Sequence, residues 1–600
     1  MESILRDIFE TLHITSREMT IQSAHEYIMW AKTHTMQDLY IELLSDASLH
    51  KLSEYRAKEN DLPNKVFFEY LYHQRKNFGF DFTDLIQFAL HILGIDADVR
   101  DKWQKRLEYI MVDEFQDVNG PQYALAEILS DYHKNLFVVG DPDQTIYTWR
   151  GARIDLILDF DKRHPGCETI LMNKNYRSQE KVINAANALI RKNKMRVEKD
   201  LLPVREGAGQ ALYFHAKTQT EEADWISTQV LALQEQGVPL LKIAVLYRAH
   251  YVSRSLEESF VRNKIPYKLY SGIEFYRRKE IKDVLSYLRL ISAGDDLSFL
   301  RVINEPKRGI GKKRIQLLQE YSEAHRCSLL NALAENAGHN LLEKTTAVAF
   351  LDFIAKYQTK YREMTLTDLL TGILSDSGYE ETLRVAGDEE RLDNLAELKQ
   401  SIYEYETTAG EDVSLEDYLE HIALFTNMDT VEQEAVKMMT IHAAKGLEFS
   451  FVFICGLSEG IFPSRKVDTK DKLEEERRLA YVGFTRAQDR LFLSDSEGFN
   501  YDGSFRFPSR FIFNAEPVNV DYVVELSRDL IDDATGYIDR QEQCFNAVPL
   551  FKVGDSVIHP VFGKGTILEI ISNLQSYSIQ FDGVETPRRI SFTISLEREK

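Results

Sequence analysis

Apolar positions in the first hundred residues recur at mixed three- and four-residue spacing: Phe67 and Leu71, then Phe82, Leu85, Ile86 and Leu90. That is the period of one helical face, so residues 1–100 are predicted to be helical. From about residue 107 the pattern becomes short apolar runs that end in polar residues: LEYIMV before Asp113, NLFVVG before Asp141 and ETILMN before Lys174. Stretches with helical spacing, PQYALAEIL and QEKVINAANALI, separate them. This alternation predicts parallel strands joined by crossover helices, with ligands beyond the strand carboxyl ends. A second set of runs follows: KIAVLYRAH at 242–250, VKMMTIHAAKG at 436–446, FSFVFICGL at 449–457 and RLFLSD at 490–495. A long helix-rich insertion, about 280–435, separates its first two members. The last fifty residues change again, to short alternating runs punctuated by Gly and Asp (VGDSVIHP, FGKGTILEII, SYSIQFDG), which predict a small β-barrel.

A chain of 600 residues exceeds one hydrophobic core and, at ~100–200 residues per domain, predicts several domains. Hydrophobic residues at 44% and charged residues at 28% exclude disorder, collagen and coiled coil. The net charge of −22 excludes a protein that coats nucleic acid by bulk charge, so any such site is a local basic strip on an acidic body. Cys167, Cys327, Cys455 and Cys544 lack CxxC spacing, which removes a zinc ribbon or a disulfide framework. The opening MESILRDIFETLH mixes charges with apolar positions, unlike a signal peptide, and no run approaches the ~18 apolar residues of a membrane span. The expectation is a soluble, cytoplasmic chain.

Five segments carry chemistry. VDEFQD (112–117) sets Asp113 and Glu114 at the end of an apolar run, oxygen ligands of the kind Mg²⁺ prefers, with a neighbour suited to orient or deprotonate a water. GDPDQTIYTWRGA (140–152) runs from a polar loop with Gln144 into Tyr147, Trp149 and Arg150; the glutamine suits a γ-phosphate or its attacking water, and the aromatics suit unpaired bases. NKNYRSQEKV (173–182) presents Tyr176 and Arg177, whose guanidinium matches a phosphate. TIHAAKGLEF (440–449) offers His442 and Lys445 as phosphate or backbone contacts, and EEERRLAYVGFTRA (474–487) ends in Arg486 after an apolar turn. Singly, each is an ordinary turn, cap or solvated helix face; their succession is what points to a nucleotide.

Together the segments resemble superfamily 1A DNA helicases of the UvrD/PcrA/Rep type, in the family's order and over nearly the whole chain. The resemblance implies an α/β fold: two RecA-like P-loop NTPase lobes, the first incomplete, with helical insertion domains and a small C-terminal Tudor/SH3-like β-barrel. It divides the chain into a partial helical insertion at 1–100, the rest of the first lobe at 101–178, and the second lobe at 179–285 and 436–515. A second helical insertion at 286–435, a linker at 516–550 and the barrel at 551–600 complete it. The implied activity is ATP-dependent 3′-to-5′ translocation on single-stranded DNA, with ATP and Mg²⁺, in DNA repair or replication. By matching position, Asp113 would be the Mg²⁺ ligand, Glu114 the base, Gln144 the γ-phosphate sensor, and Arg177 and Arg486 the arginine fingers. Tyr176 would stack on adenine and Glu459, in GLSEG, would contact ribose. Tyr147, Trp149, Arg150, His442 and Lys445 would contact single-stranded DNA. NEPKRGIGKKR (304–314), with Arg308 and Lys312, resembles a turn that grips duplex at a single-strand/duplex junction. The barrel would recruit a protein partner such as RNA polymerase.

One departure matters. No GxxxxGK[ST] occurs; GIGKKR at 309–314 and FGKGTI at 562–567 both fail the pattern. Without that loop no nest of N–H groups and no Lys cradles the β- and γ-phosphates. The chain reads as starting inside the first insertion domain, with strands such as 107–112 left with an open apolar edge. Truncation, a piece supplied by another chain, and a degenerate ATPase kept for DNA or polymerase binding all remain open. The expectation is little or no ATPase from these 600 residues alone. A helicase–nuclease fusion is disfavoured, because the tail after about 515 shows no acidic cluster followed by Lys.

Overall fold

The computed structural model describes residues 2–15, 18–45, 50–76, 79–270, 274–343, 345–409, 413–426, 434–499, 504–545, 550–560, 562–571, 576–582, 587–592 and 596–598. They form two compact units: 1–113, 118–139 and 273–428 make the first, and 114–117, 140–272 and 429–600 the second.

The first unit opens with helices from Glu2–Leu12 to Ala97–Arg106. Their boundaries follow from capping: Thr20 with Ser23 starts Ile21–Thr33, and Asp81 with Asp84 starts Phe82–Ile95, each through a reciprocal capping box. Leu5, Ile28, Tyr40, Phe67 and Leu71 meet in their core. Lys32, fully buried, sits 2.7 Å from both Asp81 and Asp84 and 2.9 Å from Gln74 Oε1, because an ammonium is tolerated inside only when paired. Next, β1 (Ile110–Val112) pairs in parallel with β2 (Leu136–Val138) across the helix Gly120–Ser130. Parallel strands are usually covered on both faces, yet Met111 is 76% and Phe137 58% exposed. The insertion is all helical among the described residues, from Lys279–Ala293 to Leu415–Thr426, around Leu288, Ile291, Phe299, Phe350, Leu370 and Tyr418.

The run ETILMN does not form the expected strand. Only β3 (Lys174–Asn175) is extended there, paired with β4 (Leu202–Pro203), and Ile170, Leu171 and Met172 are exposed. An apolar run becomes a strand only where a neighbour completes its ladder; β4 reaches back as far as the Asn173 carbonyl, and among the described residues no strand pairs with 169–172.

The second unit is built on a seven-stranded parallel sheet in the order β11-β5-β10-β9-β6-β8-β7. Its strands are β5 (Gln210–Ala216), β6 (Ile243–Tyr247), β7 (Tyr267–Leu269), β8 (Val436–Thr440), β9 (Phe449–Ile454), β10 (Ala487–Ser496) and β11 (Asp521–Tyr522). Interior β6 is wholly buried and alternates between two cores: Ala244 and Leu246 join Val182, Leu189 and Leu479, while Ile243, Val245 and Tyr247 join Ile226, Val230 and Phe260. Helices therefore cover both faces, as the continuous apolar run demanded. At the end of the chain, β12 (Ser556–His559), β13 (Gly563–Ile571), β14 (Ser576–Phe581), β15 (Arg588–Ser591) and β16 (Glu597–Arg598) form an antiparallel sheet ordered β15-β14-β13-β12-β16. A Cβ on Gly565 would stand 2.6 Å from the Phe581 ring and 2.8 Å from the Gln580 carbonyl, so the close packing of β13 on β14 needs glycine. No described helix is long and apolar enough to cross a membrane.

Candidate nucleotide and nucleic-acid site

Asp113 ends the first unit's β1 segment and is exposed; Glu114 opens the second unit. Glu114 takes a positive φ of 50°, a left-handed conformation that costs a non-glycine residue ~1–3 kcal/mol and turns the chain sharply into Phe115–Asp117. Phe115, buried edge-on to Phe160 at 5.5 Å, anchors that turn. Gln116 joins it to the next motif: Nε2 donates to Glu114 Oε2 at 2.6 Å, and Oε1 accepts from the Asp141 N–H at 2.9 Å. A Cβ on Gly140 would lie 2.5 Å from that Oε1, so the close approach of the two loops requires glycine.

Lys445 is the hub. Its ammonium pairs with Asp117 Oδ2 at 2.5 Å and Glu114 Oε2 at 3.5 Å, donates to the Gln144 carbonyl at 2.9 Å, and lies 5.2 Å from the Tyr147 ring. Burial raises the Asp117 carboxyl above its ordinary value, with Lys445 pulling the other way. The sequence placed Lys445 among DNA contacts; its side chain, 8% exposed, instead points into this acidic pair, because that is where its charge is compensated. Gln144 turns its own amide back, Nε2 donating to Asp141 Oδ2 at 2.9 Å.

Beyond Gln144 lies an aromatic shelf. Trp149 is 66% exposed, and the Arg150 guanidinium stands 4.5 Å from its ring and 5.3 Å from that of Tyr147. The Thr148 N–H donates to Glu475 at 3.1 Å, and the Tyr147 hydroxyl donates to the His442 carbonyl at 3.2 Å. Burial, then Arg248 and Arg150, push the His442 imidazole down to about 3. It is neutral at physiological pH and offers a phosphate no charge.

Tyr176 and Arg177 face a cleft of about 540 Å³ with Lys174, Arg205, Glu448 and Gln488. Arg177 Nε donates to Glu448 Oε2 at 2.6 Å, and Gln488 Nε2 to Glu448 Oε1 at 3.0 Å. The Arg177 hydrogen bond holds the Glu448 carboxyl below the usual range. Arg486 is buried and fixed by the Val482 and Leu447 carbonyls at 3.0 and 3.1 Å. Burial, then Arg177, lower its guanidinium to about 10, still charged at neutral pH; Glu114 and Glu448 act in the opposite direction. Arg486 thus senses Arg177, Glu114 and Glu448, while Gln144 reaches Glu114 through the Lys445 ammonium, which donates to its carbonyl. Glu448 precedes β9 and Gln488 lies near the start of β10, so this cleft opens at the amino-terminal edge of the sheet rather than beyond the carboxyl ends.

Two of the expected contact residues have partners within their own units. Glu459 is 3% exposed and closed by Arg510, whose Nε and second terminal nitrogen donate to its two oxygens at 2.9 and 2.8 Å; Glu448, not Glu459, is the acid lining the Tyr176 cleft. Arg308, in the first unit, donates to the Val302 carbonyl and the Tyr287 hydroxyl, both at 2.9 Å, and lies 4.8 Å from the Phe350 ring. Its charge stabilises the Gly-turn from inside. Lys312, first residue of the helix Lys312–His325, is exposed. Gln116, Asp117 and Glu448 were not singled out by sequence; only their places inside VDEFQD and GLEF marked them.

Comparison with known proteins places the chain in a family. Residues 1–165 match the UvrD/REP helicase N-terminal domain, and residues 170–498 the UvrD-like helicase C-terminal domain. A protein named ATP-dependent DNA helicase PcrA from Staphylococcus epidermidis is 35% identical over 549 residues, covering 86% of this chain and 73% of the relative. Proteins of the same name from Leuconostoc citreum (36%; 84% of this chain, 73% of the relative) and Staphylococcus aureus (32%; 98% and 82%) are similar. The chain belongs to the UvrD-like helicase family.

Proposed function

We propose that the chain is the motor of an ATP-dependent DNA helicase that moves 3′-to-5′ on single-stranded DNA. The observation that carries this is Lys445, which joins the Glu114–Asp117 turn, the Gln144 backbone and the Tyr147 ring in one cluster. Chemistry at a phosphate and stacking of a base would then share one rigid connection. In this reading Tyr176 stacks on adenine and Glu448 accepts from ribose. Arg177 and Arg486 neutralise transition-state charge, and Glu114 orients or deprotonates the attacking water. Tyr147, Trp149 and Arg150 hold unpaired bases.

Carboxylate oxygen is a fitting ligand for Mg²⁺, and Asp113 would hold it. Bound there, Mg²⁺ supplies charge neutralisation at the phosphates. We assign 101–178 to a first RecA-like lobe, the seven-stranded sheet to a second and 551–600 to a Tudor-like module for a protein partner; Lys312 is the duplex-facing cation of the insertion.

Because the 600 residues contain no GxxxxGK[ST], the chain alone is expected to bind single-stranded DNA with little or no ATP turnover. Titration of a labelled thymidine oligomer tests this. Binding should weaken with salt, and Trp149→Ala should cost ~1–3 kcal/mol, the worth of one stacked base. Unchanged affinity in that variant removes the stacking assignment. Turnover at ~1 s⁻¹ or faster, abolished by Glu114→Gln, overturns the expectation for the isolated chain.

A further inference from the structure

Behind the loop that carries Gln144 lies an ionic cluster with no assigned role. Two cations come from the segment that follows the helix Glu180–Ile190. Lys199 pairs with Asp141 Oδ1 and stands 3.7 Å from Asp143 Oδ2; Arg196 donates to Asp143 Oδ2 at 3.0 Å and to the Lys199 carbonyl at 2.7 Å. The Lys199 and Arg196 side chains are each 8% exposed and that of Asp143 0%. The other oxygen of Asp141 accepts the Gln144 amide, so one carboxylate holds both Lys199 and the sensor-type side chain. The cluster is unsaturated: Asp143 Oδ1 and Arg196 Nε are sealed from solvent without a hydrogen-bond partner among the described residues. Native interiors leave few buried polar atoms unpaired, so this pair calls for an explanation.

We propose that Lys199 and Arg196 are positioning residues that clamp the Asp141–Gln144 loop, and with it the Tyr147–Arg150 shelf, in the geometry that engages single-stranded DNA. The inference rests on the DNA-binding reading above. Thr145 and Ile146, both fully buried, transmit the loop's position to Tyr147. Around Asp143 the charged and titratable groups are Asp141 on its own loop, Lys199 and Arg196, and Arg478 and Tyr481 on the helix Lys470–Phe484. Glu474 of that helix is taken by the Lys194 and Met195 N–H groups, and Asp155 on Ile154–Leu158 by Arg153 and Arg163. Burial, then Asp141, push the Asp143 carboxyl up to about 6, against Lys199 and Arg196. Protonation of Asp143 releases Arg196 and loosens the loop; loss of Lys199 brings that protonation to higher pH.

The test is the affinity of the full chain for a labelled thymidine oligomer as pH is varied, in the wild type, Lys199→Met and Lys199→Arg. Wild-type affinity should fall as pH drops through about 6. In Lys199→Met the midpoint should move up by ~1–3 pH units, the effect of removing a cation beside a carboxylate, and Lys199→Arg should restore it. His442, at about 3, does not titrate in this window. An affinity lowered by one factor at every pH, with the midpoint unmoved, is what a merely structural role gives and overturns the clamp. So does a wild-type profile in Lys199→Met. Failure of the wild type to bind the oligomer overturns the DNA reading itself, a separate result from an unmoved midpoint.

Discussion

Replacing Lys445 with Met tests whether the acidic turn and the sensor loop are joined as described. The substitution removes an ammonium that pairs at 2.5 Å with Asp117, whose side chain is 20% exposed, and at 3.5 Å with Glu114, whose side chain is 56% exposed. Glu114 is open enough that its share is within ~0–1 kcal/mol. Asp117 decides the outcome: breaking a buried pair from one side costs ~3–5 kcal/mol, and partial access to water together with proton uptake brings the expectation to ~2–3 kcal/mol. The sign of the pH dependence follows from Asp117. Its folded pKa lies above the ordinary carboxylate value, so the stability it contributes is complete at low pH and is lost as pH rises through the folded pKa. Loss of Lys445 raises that pKa further. The deficit of Lys445→Met in urea unfolding should therefore be small near pH ~4 and grow toward pH ~7. Adding Asp117→Asn should recover most of it. A deficit below ~1 kcal/mol that does not change with pH would place Lys445 among ordinary surface pairs and refute the reasoning.

Other outcomes follow from the same geometry. Glu459→Gln should leave nucleotide affinity unchanged while destabilising the second unit by ~3–5 kcal/mol, because Arg510 loses its buried partner; calorimetry and nucleotide titration on one sample separate the two. Glu448→Gln should do the reverse, weakening nucleotide binding with little loss of stability. Arg308→Met should lower the melting temperature without changing the salt dependence of duplex binding, whereas Lys312→Ala should reduce the log–log salt slope by ~0.9, one phosphate contact. His442→Gln should leave the pH profile of DNA affinity between about pH 5 and pH 8 unaltered, since the imidazole is already neutral there.

What the sequence revealed depended on how local the determining physics is. IAVLY could only be a strand buried on both faces, and its alternation between two cores follows from that. ETILMN has the same texture but, short of Asn173, no ladder neighbour among the described residues, and a run cannot report whether a partner strand lies beside it. Trp149 and Arg150 were legible because an exposed aromatic beside a guanidinium needs no distant partner. Glu459 and Glu448 are both acids next to a strand of one sheet; what separates them is Arg510, which closes one and leaves the other beside Arg177. Arg308 shows the same limit, since a basic residue in a Gly-turn reads alike whether it faces phosphate or its own carbonyls. Lys445 was found by motif, but its burial against Asp117 and Glu114 is long-range information.

The central claim is that Tyr176 and Glu448 receive the nucleoside of the same nucleotide whose phosphates meet Arg177, Arg486, Gln144 and Glu114. Photocrosslinking of azido-ATP to the chain, followed by peptide mapping, tests it most directly. The account predicts label on the peptide that carries Tyr176, lost in Arg177→Ala and retained in Glu459→Gln; label on the segment around Glu459 and Arg510, or label indifferent to Arg177, would contradict it.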